Sequence, residues 1–241
     1  MFKIFLRCSG LILHPFAYPD GVMARLVVSE PGARSTVKDS KTVVIGLTGG
    51  ILSGKSTVSQ MLARKGAVII DADKVGHEAY RPQTPVWHQV AEAFGKDILQ
   101  ANGEIDRKKL GQIVFSDPQA LERLNRIMHP AMHDVMKERI EQLRRQGVGV
   151  VVLEAAVLIE ANWTDLVDQV WVTQASEENV IQRLVNRSGL SEAQARARIR
   201  FQLSAEERAR HAHVIIDTNC SLAEVEAKVD ALWEGVKSGK V

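Results

Sequence analysis

Apolar residues in this chain arrive in short unbroken runs separated by longer stretches with helical spacing, an alternation that predicts an α/β protein with a parallel sheet. Thr42 to Leu47, Ala67 to Ile70, Val148 to Leu153, Val170 to Val172 and His213 to Ile216 read as five strands. The third is continuously apolar, as expected of a strand covered on both faces at a sheet centre. Between the second and third strands, Lys74 to Gln146 keeps a helical period: Trp87, Val90, Ala91 and Phe94 mark one apolar face, and Leu110, Ile113 and Val114 another. Asp117-Pro118 opens a long helix with an N-cap and a first-turn proline, turning Leu121, Leu124, Ile127 and Met128 inward, and Pro130 is expected to bend or split it. Ser176, Ser191 and Ser221 start later helices, the last two as capping boxes; Leu222, Val225, Val229 and Leu232 mark the buried face of the final one.

The turn after the first strand carries the chemistry. Gly49-Gly50-Ile51-Leu52-Ser53-Gly54-Lys55-Ser56-Thr57 fits the phosphate-loop pattern G-x-x-x-x-G-K-[ST], set between a buried strand and a helix. Unpaired N–H groups at a helix start, with the positive end of its dipole, attract anions. Gly49 and Gly54 let the backbone turn close to a phosphate, Lys55 supplies a point charge for the outer phosphates, and the Ser56 hydroxyl suits Mg²⁺. Leu52, Ser53 and Thr57 complete the expected nucleotide-binding set.

Two further regions bear on function. The second strand ends in Asp71-Ala72-Asp73, and in a parallel sheet that end lies near the phosphate loop, with solvated loop acids as the lesser alternative. Ser176 to His211 is rich in arginine. Arg183 and Arg187 are i,i+4 neighbours and can converge as a lid over a transferring phosphate, whereas Arg196, Arg198, Arg208 and Arg210 read as a solvated helix face.

Composition narrows the class. With 241 residues, 45% hydrophobic and 25% charged, and a net charge of +2, the chain is globular and shows no nucleic-acid-binding excess of charge. Cys8 and Cys220 have no metal-ligand spacing and suggest a reducing compartment. No apolar run reaches the length of about 18 residues needed for a membrane span. Residues 1–40 read as a disordered or leader extension before a domain at 41–241, with an organellar presequence or a true start at Met23 as alternatives. These residues alone leave the acceptor open: another small-molecule kinase and a nucleotide switch both share a phosphate loop, although no guanine-reading N-K-x-D occurs.

The segments GLTGGILSGKSTV, VIIDADKVGHEAYRP, DRKKLGQIVFSDP, MHP and EAAVLIEANW, in this order, resemble the dephospho-coenzyme A (dephospho-CoA) kinase family from about Val43 to Val236. The GHEAYRP and EAAVLIE variants are most similar to the kinase domain of bifunctional coenzyme A synthases, without the adenylyltransferase half. The resemblance implies an adenylate-kinase-like five-stranded parallel sheet, a coenzyme-A-binding helical insertion at about 74–146 and a lid at about 183–211. It implies transfer of the ATP γ-phosphate to the ribose 3′-hydroxyl of dephospho-CoA with Mg²⁺. A cytoplasmic monomer or weak homo-oligomer without nucleic-acid or membrane partners is expected. Mitochondria are the alternative if the leader is a presequence. The resemblance puts the base on Asp73 and the lid arginines on Arg183 and Arg187. Two departures stand out: Leu52 replaces a small residue, so its side chain must point away from the phosphates, and Ala156 to Ile159 replaces a V-P-L-L or I-P-L-L segment, leaving the role of Glu154 open.

Overall fold

Each expected strand lies in one five-stranded parallel sheet of order β2-β3-β1-β4-β5 in the computed structural model, which describes residues 42–240. The strands are β1 (Val43–Gly49), β2 (Val68–Asp71), β3 (Val150–Glu154), β4 (Gln169–Gln174) and β5 (Val214–Asp217). The expected extension at 1–40, with Cys8, lies outside the described residues.

Period-two alternation sends successive residues to opposite faces. Val44, Val151, Leu153, Val170 and Val172 pack under the helical segment that follows β2. Ile45, Leu47, Val150, Val152 and Trp171 face α1 (Lys55–Arg64) and α9 (Leu222–Lys237). Both faces are covered, which is why these strands are continuously apolar.

The segment between β2 and β3 is helical as predicted: α2 (Ala72–Ala79), α3 (Pro85–Phe94), α4 (Arg107–Ser116) and α5 (Pro118–Arg145). Pro130 does not split α5, which runs 28 residues with the proline inside it. The helix survives because Met128, Met132, Met136 and Ile140 stay buried along one side, and burial of each such side chain is worth about 1.5–3 kcal/mol, comparable with the cost of about 3 kcal/mol for an interior proline. Ile113, expected on a buried face, is 39% exposed.

After β4 come α6 (Glu177–Ser188), α7 (Glu192–Arg200) and α8 (Ala205–His211). Ser176 caps α6 through the Asn179 N–H, and capping boxes at Ser191, Ser204 and Ser221 start α7, α8 and α9. Leu222 is 63% exposed rather than buried, because as the first residue of α9 it overhangs the phosphate-loop cleft instead of the sheet. Among the described residues no helix is long and apolar enough to cross a membrane.

Candidate active site

The phosphate loop spans the end of β1 and the start of α1. A β-carbon on Gly49 would run into Thr173 Oγ1 and Ser53 Oγ, so the loop closes against β4 only with glycine there. Ser53 Oγ shares a hydrogen bond of 2.7 Å with Thr173 Oγ1, and Thr218 Oγ1 donates to the Ser53 carbonyl at 2.9 Å. Gly54 is the N-cap of α1 in the left-handed region (φ 93°) and offers no side-chain cap, which leaves the first N–H groups of the helix free for an anion.

Leu52 also adopts a left-handed conformation, φ 52°. A residue with a β-carbon holds this at a cost of about 1–2 kcal/mol. Its side chain packs with Ile51 against Val180, Ile181, Leu184 and Ala195 of α6 and α7, so the bulk absent from a glycine or alanine is placed against the arginine-bearing helices.

Lys55 and Ser56 meet at one carboxylate. Lys55 Nζ lies 2.7 Å from Glu154 Oε1, and the Ser56 hydroxyl donates to the same oxygen at 3.0 Å. Glu154 ends β3 opposite Leu47 of β1, in a register fixed by the parallel pairing of the two strands. Burial pushes its carboxyl up, but the Lys55 hydrogen bond and charge, with the hydroxyls of Ser59 and Ser56, outweigh that and hold it below the usual carboxylate range. Sequence reasoning left this residue without a role; its signal was a carboxylate closing the most apolar strand, which a structural residue seldom does.

Asp71 and Asp73 behave differently from one another. Asp71 is the N-cap of α2 and accepts from the N–H groups of Asp73 and Lys74 at 3.0 and 3.3 Å. Asp73 stands exposed in the first turn of α2, and among the described residues its carboxylate makes no hydrogen bond or ion pair. Asp71 pairs with Glu154, and Glu154 with Leu47, so two strand spacings of about 4.8 Å put Asp71 about 10 Å from the strand leading into the loop.

The two expected lid arginines also divide. Arg183 donates Nη1 to the Leu52 carbonyl at 2.9 Å and Nη2 to the Thr218 carbonyl at 3.1 Å, joining α6 to the phosphate loop. Arg187 is exposed one turn further on and makes no such bond among the described residues. Arg196 pairs with Glu177 at 2.6 Å on the surface, as a solvated face predicts. Arg208 departs from that expectation: it is 5% exposed, since α8 packs its side chain beneath the Gly50 arm of the loop.

Two clefts open at the loop. One of about 770 Å³ is bounded by the loop, Arg183, Arg187, Thr218, Leu222 and Val225. The other, about 720 Å³, starts at Ser56 and Glu154 and passes Asp71, Lys74, Glu78 and Arg139. The first combines free N–H groups and cations with an apolar wall, as a nucleoside triphosphate requires. The oxygen donors Ser56 Oγ and Glu154, side by side, form a hard donor pair that fits Mg²⁺.

Comparison with known proteins agrees with this geometry. Residues 43–224 match the family model described as dephospho-CoA kinase. Among curated proteins, the chain is 47% identical over 190 residues to the dephospho-CoA kinase of Geobacter sulfurreducens, covering 79% of this chain and 96% of that one. It is 44% identical over 197 residues to that of Symbiobacterium thermophilum, covering 82% of each. The dephospho-CoA kinase structure from Campylobacter jejuni superposes with a TM-score of 0.65 at 26% identity, over 82% of this chain and 98% of that one. These relatives are bacterial, which leaves the organellar reading of the first residues without support. On its matched family model and on relatives aligned over most of their length, the chain belongs to the dephospho-CoA kinase family.

Proposed function

We propose that the protein transfers the γ-phosphate of ATP to the ribose 3′-hydroxyl of dephospho-CoA, giving coenzyme A and ADP. The observation that carries this reading is the meeting of Lys55, Ser56 and Glu154 at the start of α1, between a nucleotide-sized cleft and an acid-lined one. The triphosphate lies on the free N–H groups at the start of α1, and the base rests against Leu222 and Val225. The acceptor lies on the β2 side, held by the helical region at about 74–146, while residues 183–211 form the lid over the nucleotide. The same reading takes the protein to act as a monomer or weak homo-oligomer. The same reading places the reaction in the cytoplasm, where ATP is available.

Mg²⁺ would be held by Ser56 Oγ and Glu154, and when bound it neutralises charge on the outer phosphates. Nucleotide binding then separates Lys55 from Glu154: the ammonium turns to phosphate oxygens and the carboxylate is released from its ion pair. Asp73 orients the 3′-hydroxyl and takes its proton as the new O–P bond forms and the bond to the ADP oxygen breaks. Arg183 fixes the loop from behind, and Arg187 closes on the phosphates from α6. Most of the acceleration comes from placing reactants and charges in advance.

The test is direct. Purified protein with ATP, Mg²⁺ and dephospho-CoA releases ADP in proportion to coenzyme A formed. Turnover no greater than with adenosine or a nucleoside monophosphate overturns the assignment of the acceptor.

A further inference from the structure

Arg208 is 5% exposed within α8, and among the described residues neither its Nε nor its Nη2 has a hydrogen-bond partner. The nearest acid, Glu160, places Oε1 3.6 Å from Nη2, close enough to balance charge but too long for a hydrogen bond. Burial draws the guanidinium pKa down and Glu160 opposes it, yet an arginine stays protonated in either case. Ionised donors left unused in an interior are costly, so each calls for a role or a partner.

The direction of the side chain narrows the ligand. Nη1 lies 3.3 Å from the point where a Gly50 β-carbon would stand, and Gln202 Oε1 lies 3.5 Å from the same point. Gln202 Oε1 also accepts the Ile51 N–H at 2.8 Å. The outer arm of the phosphate loop is therefore faced by two side chains from residues 202–208, across a recess of about 490 Å³ that reaches Ser53 and Thr173. With the inner phosphates on the N–H groups at the start of α1, that arm is left beside the terminal phosphate.

A parallel with Lys55 strengthens this. Glu154, the last residue of β3, and Glu160, six residues later, each stand against a cation beside the loop: Glu154 against Lys55, Glu160 against Arg208. The stretch that carries them is fixed in the core by Leu158, fully buried against Gly46, and by Trp163. Both acids thus occupy places from which a more highly charged anion can draw the cation away.

We infer that Arg208 is a catalytic residue kept charged and waiting by Glu160: once ATP fills the loop, the guanidinium, whose Nη1 already faces the Gly50 arm, turns from Glu160 so that its unused donors meet the terminal phosphate and offset the charge spread over its oxygens during transfer. This extends the phosphotransfer reading above and rests on it.

The experiment compares ATP and ADP binding by calorimetry, steady-state kinetics and thermal unfolding in full-length wild type, R208M, R208K and E160Q. R208M is expected to lower kcat by about a hundredfold or more and weaken ATP by about tenfold, with ADP affinity within about twofold of wild type, because ADP lacks the phosphate that Arg208 reaches. R208K keeps a charge and the fold but recovers less than about a tenth of the rate, since an ammonium lacks the planar fork. E160Q tightens ATP severalfold and leaves ADP unchanged. Equal losses of ATP and ADP affinity in R208K, or kcat within about threefold of wild type in both arginine variants, overturn the proposal and make Arg208 a support of the loop. The ATP and ADP comparison uses no acceptor, so its failure is distinguishable from wild type failing to phosphorylate dephospho-CoA.

Discussion

Lys55 Nζ stands 2.7 Å from Glu154 Oε1, the same oxygen that accepts the Ser56 hydroxyl, so the cation for phosphate and the donor pair for metal share one atom. On the proposed function, exchange of that contact is part of loading the site. Glu154→Gln is expected to raise the Mg²⁺ concentration for half-maximal rate and lower activity by about 10–100-fold, while ATP binding without Mg²⁺ is unchanged or tighter because Lys55 is freed. Superimposable Mg²⁺ titrations of the two proteins would remove Glu154 from the metal site.

Asp73 is exposed and spends its carboxylate on no neighbour among the described residues, unlike Asp71, which caps α2. Asp73→Asn is expected to lower kcat by about 10²–10⁴-fold with ATP affinity and unfolding temperature unchanged. Asp71→Asn should leave kcat within about tenfold and cost about 1 kcal/mol or less of stability, since asparagine also caps. Unaltered kcat in the Asp73 variant rules out its role as base.

Arg183 and Arg187 are one turn apart on α6 but are held differently. Removing Arg183 breaks two bonds to the carbonyls of Leu52 and Thr218, so Arg183→Ala should lose about 2–4 kcal/mol of stability and bind ATP and ADP equally poorly. Arg187→Ala should keep the wild-type unfolding curve and show its effect in kcat. Denaturant unfolding beside nucleotide titration separates the two, and identical stability losses would contradict the distinction.

Leu52 balances strain against packing. Leu52→Gly relieves about 1–2 kcal/mol of left-handed backbone cost and forfeits a similar amount of apolar burial against α6 and α7, so net stability should change by less than about 1 kcal/mol. Leu52→Val, with a branched β-carbon, should be the less stable of the two. Urea midpoints with a shared slope check the order.

His129 stacks edge-on to Trp163, ring centroids 5.4 Å apart, and burial lowers its pKa from the ordinary 6.5. The folded chain then resists a proton that the unfolded chain accepts, so this contribution to stability is fully present above pH 6.5 and is lost as pH falls through the folded pKa. Wild type should lose stability relative to His129→Gln as pH falls below that value. Parallel stability profiles from pH 8 to 5 would show that His129 does not titrate between the two states.

The five strands and the phosphate loop were legible because their signals are local: unbroken apolar runs, and glycines spaced about a lysine and serine. Helix starts were legible for the same reason, since Ser191 and Ser221 carry their own capping partners. The capping box from Ser204 to Glu207 held the same signal, and it sets α8 so that Arg208 turns inward. No periodicity could reveal that burial, because α8 is seven residues long with charged residues on all sides. Arg183 was hidden differently: bonds to backbone carbonyls leave no trace in the identity of the partner. Glu154 needed the strand order, because only the β1–β3 pairing brings it to Lys55 from 99 positions away.

β1 divides the sheet into flanks: α2 to α5 are inserted between β2 and β3 on one, while α6 to α8 follow β4 on the other. On the proposed function, fuel and recipient are thereby lodged in different neighbourhoods of the same frame. Mutational drift among the helices beside β2 can alter which molecule is phosphorylated without disturbing how energy is delivered, so new specificities can evolve here by remodelling one side alone.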